Sequence, residues 1–236
     1  MISIIISTYN RAKRLEKAVK SVLDQTFTDW ELIIVDDKST DDTKAVVEAL
    51  HDPRIKYIRR KRNFGYDTKP KNEGILASKG EYIAFLDDDN TYRPDHLAIL
   101  LREINEDSKL DVVYGDRWLI DETKRIPPQL GIAKDFDPGL LMQRNFIDTS
   151  DALVKREALF DVGGFDEGHK KYIDWNLWVR LSKYGKKFKR IPLIITDYYL
   201  HEGMKSVRIK NKGEDHLTIK ATWDAYDCEI ELPYLN

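Results

Sequence analysis

EYIAFLDDDN, residues 81–90, decides how this chain is read: an apolar run ends abruptly in three carboxylates. Adjacent Asp side chains repel and Asp forms strands poorly, so Asp87, Asp88 and Asp89 are locally costly together. Two readings stand. The cluster is a solvated turn leading into the helix that Pro94 opens, or it is where something cationic binds. The same pattern occurs twice upstream. ISIII (2–6) stops in the polar STYN, and ELIIVDD (31–37) ends on Asp36 and Asp37.

Between these runs the spacing turns helical. Leu15, Ala18, Val19, Val22 and Leu23 place a helix over about 11–25. Ser39 to Asp42 supply N-cap candidates for a helix carrying Ala45, Val46, Ala49 and Leu50. IKYIRR (55–60) is a less apolar strand, expected near an edge, and 68–79 is a short helix stopped at Gly80. Leu97, Leu100, Leu101 and Ile104 follow Pro94 on one helical face, and LDVVYGD (110–116) is a fifth strand. Strands alternating with helices predict an α/β fold with a parallel sheet and right-handed crossovers. Residues 121–150 read as loop, helical spacing returns near 151–160 and at Trp175, Trp178, Val179 and Leu181, and RIPLIITDYYL (190–200) is a late strand. No linker divides the chain. We expect one domain over 1–205 and a polar extension over 206–236.

The totals bound the function. The 39 basic and 41 acidic residues, net charge −2, give no excess positive field for nucleic acid. One cysteine, Cys228, excludes an internal disulfide and a Cys-based zinc cluster and fits a reducing, cytoplasmic location. We expect no leader and no transmembrane segment, because the first strand starts at once and no apolar stretch reaches spanning length. The lysine run Lys183, Lys186, Lys187, Lys189 and Arg190 reads as a solvated face, with contact to a membrane surface or an anionic acceptor as its alternative.

In open parallel α/β sheets, ligands bind outside the carboxyl ends of the strands. Three strand ends here bring polar or acidic groups to that rim. No GxGxxG follows strand one and no GxxxxGK[ST] occurs, so a phosphate would be held through a divalent cation rather than by backbone N–H groups. Asp87 and Asp89, alternate on an extended chain, suit that task. Carboxylate oxygens favour Mg²⁺ or Mn²⁺, which keep positions open for phosphate.

Five segments, in order, resemble the family-2 glycosyltransferases of the GT-A fold over about 2–204. They are IISTYNRAKRLEKAVKSVLDQTF, ELIIVDDKSTDDT, RNFGYDTKPKNEGILASKGEYIAFLDDDN, DALVKREALFDVGGFDE and DWNLWVRLSKYG. QTFTDWELIIVDD and YIAFLDDDNTYRPDHL are most similar to small bacterial enzymes of spore-coat polysaccharide synthesis. The resemblance implies a Rossmann-like, mostly parallel sheet flanked by helices. It implies inverting, Mn²⁺- or Mg²⁺-dependent transfer of a sugar from a nucleotide diphosphate sugar to a hydroxyl of a glycan or lipid-linked acceptor, with UDP favoured over dTDP or GDP.

The resemblance also assigns residues. Tyr9 stacks on the nucleobase beside Thr8, Asp37 contacts the base, and Asp88 lies near the ribose. Asp87 and Asp89 are the metal ligands, with His201 as a further candidate for the metal or the diphosphate. Asp174 is the catalytic base; its bland reading is an N-cap of the helix DWNLWVRL. Two positions depart from the family pattern: Ile173 stands where relatives have Glu, and Lys71 in PKNEG replaces an arginine, leaving a point charge for the diphosphate. Trp175 and Trp178 read as core, and Trp118 as a candidate sugar platform. The absence of a QxxRW-type motif argues against processive polymer synthases. Other classes remain open: a non-catalytic nucleotide-sugar or carbohydrate-binding protein on the same scaffold, and a nucleotidyltransferase, whose glycine-rich loop STYNRAKR lacks. A receiver domain would be about half as long and leaves the DWNLWVRL helix unexplained.

Overall fold

A computed structural model describes residues 1–201. The extension expected over 206–236, the end of the 1–205 domain and Cys228 lie outside the described residues. Strand β1 (Ile2–Thr8) is followed by α1 (Ala12–Leu23), β2 (Trp30–Asp36), α2 (Thr43–Glu48), β3 (Ile55–Arg59), α3 (Thr68–Ala77) and β4 (Tyr82–Phe85). β1 pairs in parallel with β2 and β4, and β2 with β3, as the βα alternation predicts. IKYIRR forms the edge strand β3, also as expected.

The second half brings β5 (Thr91–Tyr92), α4 (His96–Glu106), β6 (Val112–Asp121), β7 (Gln129–Gly131), α5 (Pro138–Gln143) and a 3₁₀ turn at Thr149–Asp151. Then come β8 (Ala152–Lys155), α6 (Arg156–Asp161), α7 (Ile173–Lys183) and β9 (Phe188–Leu200). The sheet order is β3-β2-β1-β4-β8-β6-β9-β5, with β7 paired to β6. β8 runs antiparallel to both β4 and β6, while β6 and β9 form a long parallel ladder. The result is an α/β fold on a mixed, mostly parallel sheet flanked by helices.

Side-chain alternation gives the sheet two apolar faces, which is why its central strands read as unbroken hydrophobic runs. Ile4 and Ile6 of β1 pack with Leu15, Val19, Leu97 and Leu100 on one face. Ile5, with Ile83 and Phe85 of β4, packs with Ile75, Trp175, Trp178 and Leu181 on the other. α3 crosses β1 so closely that a Cβ on Gly74 would sit 2.4 Å from Ile5 Cγ2.

Several expectations are corrected. Residues 152–155 are a buried central strand, and only 156–161 are helix; a short apolar run cannot be told from helix by periodicity alone. The stretch read as loop over 121–150 holds β7 and α5. Gly80 does not stop α3, which ends at Ala77; it lets the chain pass Ser3, where an added Cβ would lie 2.6 Å from the backbone nitrogen. Asp42 precedes α2 without a side-chain cap, and Asp41 accepts instead from the Thr43 and Ala12 N–H groups. Among the described residues no helix is long and apolar enough to cross a membrane.

Candidate active site

The register explains how three strand ends meet. Ile5 faces Phe85 and Thr8 faces Asp36, so β1 runs past the end of β4 and carries Thr8 alongside the acidic turn. There Thr8 Oγ1 donates to Asp88 Oδ2 at 2.7 Å. The Arg11 guanidinium, at the start of α1, spans the turn through Asp88 Oδ1 at 2.8 Å and Asp89 Oδ2 at 2.6 Å. The three carboxylates are not on extended chain, as their spacing suggested. Asn90 N donates to Asp87 O at 3.0 Å, closing a turn that sends Asp87 one way and Asp88 and Asp89 another. Asp87 meets Lys71, whose ammonium donates at 2.9 Å and is only 3% exposed. Burial opposes the Lys71 charge, but Asp87 and Asp67 more than offset it and hold the lysine protonated.

A cleft of about 90 Å³ is lined by Ser7, Thr8, Tyr9, Arg11, Asp67, Asp87, Asp88, Asp89 and Tyr198. Tyr9 is 37% exposed beside Asn10, which has a left-handed backbone, so its ring is available at the rim and is not core. Asp36 is buried and accepts from Tyr57 and the Ser39 N–H, a structural role. Asp37 accepts from Arg60 and from the backbone N–H groups of Phe64 and Gly65, fixing the 63–65 turn, whose Gly65 lines the neighbouring larger cavity. Burial pushes Asp88 up to about 6 despite Arg11, with Asp89 adding repulsion. His201 Nε2 lies 3.1 Å from Asp89 Oδ2. These two side chains fit a hard divalent cation, which binds few protein groups and completes its shell with phosphate and water. Among the described residues no group of three His, Cys, Asp or Glu side chains converges on one point.

A larger cavity of about 300 Å³ adjoins this cleft and shares Asp67, Asp87 and Tyr198 with it. Its lining includes Lys71, Asn145, Asp148, Lys171 and Asp174. Asp174 occupies the first turn of α7, not its cap; the cap position is Tyr172, in the left-handed region at φ 52°. Asn145 Nδ2 donates to Asp174 Oδ2 at 2.7 Å. Burial and the charge of Asp148 lift Asp174 to about 6, opposed by the Trp175 N–H and Lys71. Trp175 and Trp178 are core, as expected, and their indole N–H groups donate to Leu141 O at 2.6 Å and Ile147 O at 2.9 Å. Trp118 pairs across to Leu130 on β7 and is absent from the lining of both cavities.

Arg11, Asn145 and Asp148 are not singled out by the sequence, nor is Arg117, which pairs with Asp148 at 3.0 Å. Arg11 directly follows STYN and was readable as a cation near the acids. Asn145 and Asp148 fall in the stretch taken for loop, where two polar residues bracketing Phe146 and Ile147 were the available signal.

Comparison with known proteins gives the chain's fold and family. The GalNAc(5)-diNAcBac-PP-undecaprenol beta-1,3-glucosyltransferase of Campylobacter jejuni is 31% identical over 242 residues, covering 100% of this chain and 72% of that protein. S. aureus TarS 1–349 in complex with UDP-GlcNAc superposes with TM-score 0.79 at 20% identity, covering 98% of this chain and 68% of that one. The mannosyltransferase PcManGT from Pyrobaculum calidifontis, in complex with GDP-Man and Mn²⁺, superposes with TM-score 0.69 at 18% identity, covering 99% and 67%. At such identities the two structures establish the fold alone. The sequence profile described as Glycosyl transferase family 2 matches residues 3–175, most of the chain, and the protein belongs to that family.

Proposed function

We propose that the protein transfers a sugar from a nucleotide diphosphate sugar, a UDP-sugar, to a hydroxyl of a glycan or lipid-linked acceptor, with inversion at the anomeric carbon. The observation that carries this reading is the continuity of the two cavities: Asp67, Asp87 and Tyr198 line both, so the acidic turn and Asp174 face one reaction space. The nucleotide lies in the cleft, with Tyr9 stacked on the base and Thr8 and Arg11 holding Asp88 toward the ribose. Asp37 acts by fixing the 63–65 turn against the base. Lys71 keeps Asp87 in place and puts positive charge near the diphosphate. Relatives act in bacterial glycan assembly, and a reducing, cytoplasmic location fits the single cysteine.

Asp89 and His201 would hold the divalent cation. A Mn²⁺ or Mg²⁺ held there would supply positive charge against the leaving diphosphate, a choice that the Mn²⁺ in the PcManGT complex supports. In the larger cavity Asp174 takes the proton of the acceptor hydroxyl while that oxygen bonds to the anomeric carbon. The bond to the diphosphate breaks on the opposite face and its electron pair leaves with the phosphate oxygen. With its carboxyl at about 6, Asp174 is ionised at neutral pH yet basic enough to accept the proton. Asn145 orients it.

The test is turnover of UDP-, dTDP- and GDP-sugars with Mn²⁺ and with EDTA. Asp174→Asn is expected to lose about 1,000-fold in rate while its nucleotide-induced thermal shift remains. A variant as fast as the wild type removes Asp174 as the base. Nucleotide-sugar binding without transfer or hydrolysis in the wild type points to the binding-protein reading instead.

A further inference from the structure

Asp148 is a charged group of the larger cavity that makes no contact with the reactants in the mechanism above. Asp148 lies in the lining with its side chain 15% exposed. Its Oδ1 accepts from Ser150 N at 2.9 Å, and its Oδ2 meets Arg117 Nη1 at 3.0 Å. Arg117 is itself fixed from below: its Nε lies 2.8 Å from Asp151 Oδ2, and Asp151 is completely buried. Asp148 and Asp151 thus share Arg117 as a common counter-ion. A second carboxylate is therefore held rigidly at the cavity wall, beside Asp174, whose ionisation it opposes.

An ionised carboxylate has about four acceptor positions, of which these contacts use two. The group that fits the remainder is a hydrogen-bond donor brought by a ligand: of the lysines in the same lining Lys71 is bonded to Asp87, and the cation that Asp148 meets is Arg117. A sugar hydroxyl is such a donor. We infer that Asp148 accepts a hydrogen bond from a sugar hydroxyl neighbouring the reacting centre, so that Asp148 and Asp174 together grip adjacent hydroxyls of one ring. Arg117 and Asp151 are its positioning residues: they fix the carboxylate's direction without touching the sugar. The hydroxyl belongs to the acceptor or to the transferred sugar; the chemistry is the same, and experiment separates them. This inference rests on the sugar-transfer reading.

The experiment compares wild type, Asp148→Asn and Asp148→Glu. Affinities are measured for UDP, which has no sugar, for UDP-glucose, UDP-galactose and UDP-N-acetylglucosamine, and KM is measured for simple methyl glycosides as acceptors. Both variants are expected to bind UDP within about twofold of wild type. A loss of about tenfold, appropriate to a hydrogen bond to a charged group, then appears in one arm. In UDP-sugar affinity it assigns the hydroxyl to the donor; in glycoside KM it assigns it to the acceptor. Unchanged values in both arms overturn the proposal. So does a parallel fall in UDP affinity, or failure of both variants to unfold cooperatively, since Asp148 is then only a structural partner of Arg117. A wild type that binds UDP and UDP-sugars equally and turns none over removes the transfer reading itself.

Discussion

The Asn145 side-chain amide donates to Asp174 Oδ2 at 2.7 Å across 29 residues of sequence. The contact is held by core packing rather than by local chain geometry. Trp175 and Trp178 of α7 donate to carbonyls at Leu141 and Ile147, so the helix bearing the proposed base and the segment orienting it form one unit. Opposing influences thus meet on Asp174. Burial and Asp148 favour its neutral form, while the amide donation favours its charged form.

Removing the amide should therefore move the carboxyl further up. In Asn145→Ala the acidic limb of the kcat/KM profile is expected to shift above the wild-type value of about 6. At pH 6.5 the rate should fall by roughly tenfold, and above pH 8 by less. Coincident profiles for variant and wild type sink the orienting role.

Stability should depend on pH in an unusual direction. Asp88 and Asp174 are held at about 6 and Asp151 at about 7, all above the ordinary 3.8, chiefly by burial. A carboxyl raised in the folded state favours folding fully below its unfolded value, and that stability is lost as pH rises through the folded value. Buried His96, pulled down to about 3, opposes them, since its neutral form gains stability as pH rises to the ordinary 6.5. The three carboxyls outweigh it, so between about pH 4 and pH 7 the protein should lose stability, with Tm lower at pH 8 than at pH 5 by a few degrees. Asp121 and Asp166, pulled down to about 2, have already exerted their opposite effect below this window. Calorimetry across pH 4.5–8 checks the slope, and Asp151→Asn should flatten it whatever that variant's absolute Tm.

Arg11 supplies a cation to the acidic turn before any metal arrives. Replacing it with Ala leaves Asp88 and Asp89 more negative at pH 8, so free Mn²⁺ should bind more tightly by roughly fivefold, a difference of about 1 kcal/mol. Electron paramagnetic resonance of free Mn²⁺ measures this without turnover. Weaker Mn²⁺ binding in Arg11→Ala would falsify the idea that guanidinium and metal compete for the turn.

What the sequence revealed and what it hid divide along one physical line. The acidic turn was legible because a strand end in an open sheet has a known direction, and three apolar runs ended in polar groups. The core tryptophans were legible because their helical spacing is local. β8 was hidden because a buried central strand and a buried helix both read as Ala152-Leu153-Val154. Arg117, Asp148 and Asn145 were hidden because their roles exist only through contacts formed across the sheet. No local periodicity encodes that Arg117 of β6 meets Asp151 of the 3₁₀ turn.

Lys71 offers the cleanest separation of structure from binding. Its ammonium is nearly excluded from solvent, bonded to Asp87 and 5.5 Å from the centre of the Phe165 ring. Lys71→Met removes the cation and leaves Asp87 facing Asp67 and Asp148 with no compensation. Asp87 is 32% exposed at the cavity wall, so water screens the stranded carboxylate and the loss is about 1–3 kcal/mol rather than that of a fully buried pair. The single variant should therefore unfold at lower urea. Replacing both partners by neutral groups removes the stranded charge, so Lys71→Met with Asp87→Asn should recover most of that loss. Lys71→Arg should not behave as a conservative change, because a planar fork must fit where a compact ammonium is enclosed. Urea unfolding of the two single variants and the double variant completes the cycle. A double variant no more stable than Lys71→Met means the lysine acts through packing rather than through Asp87.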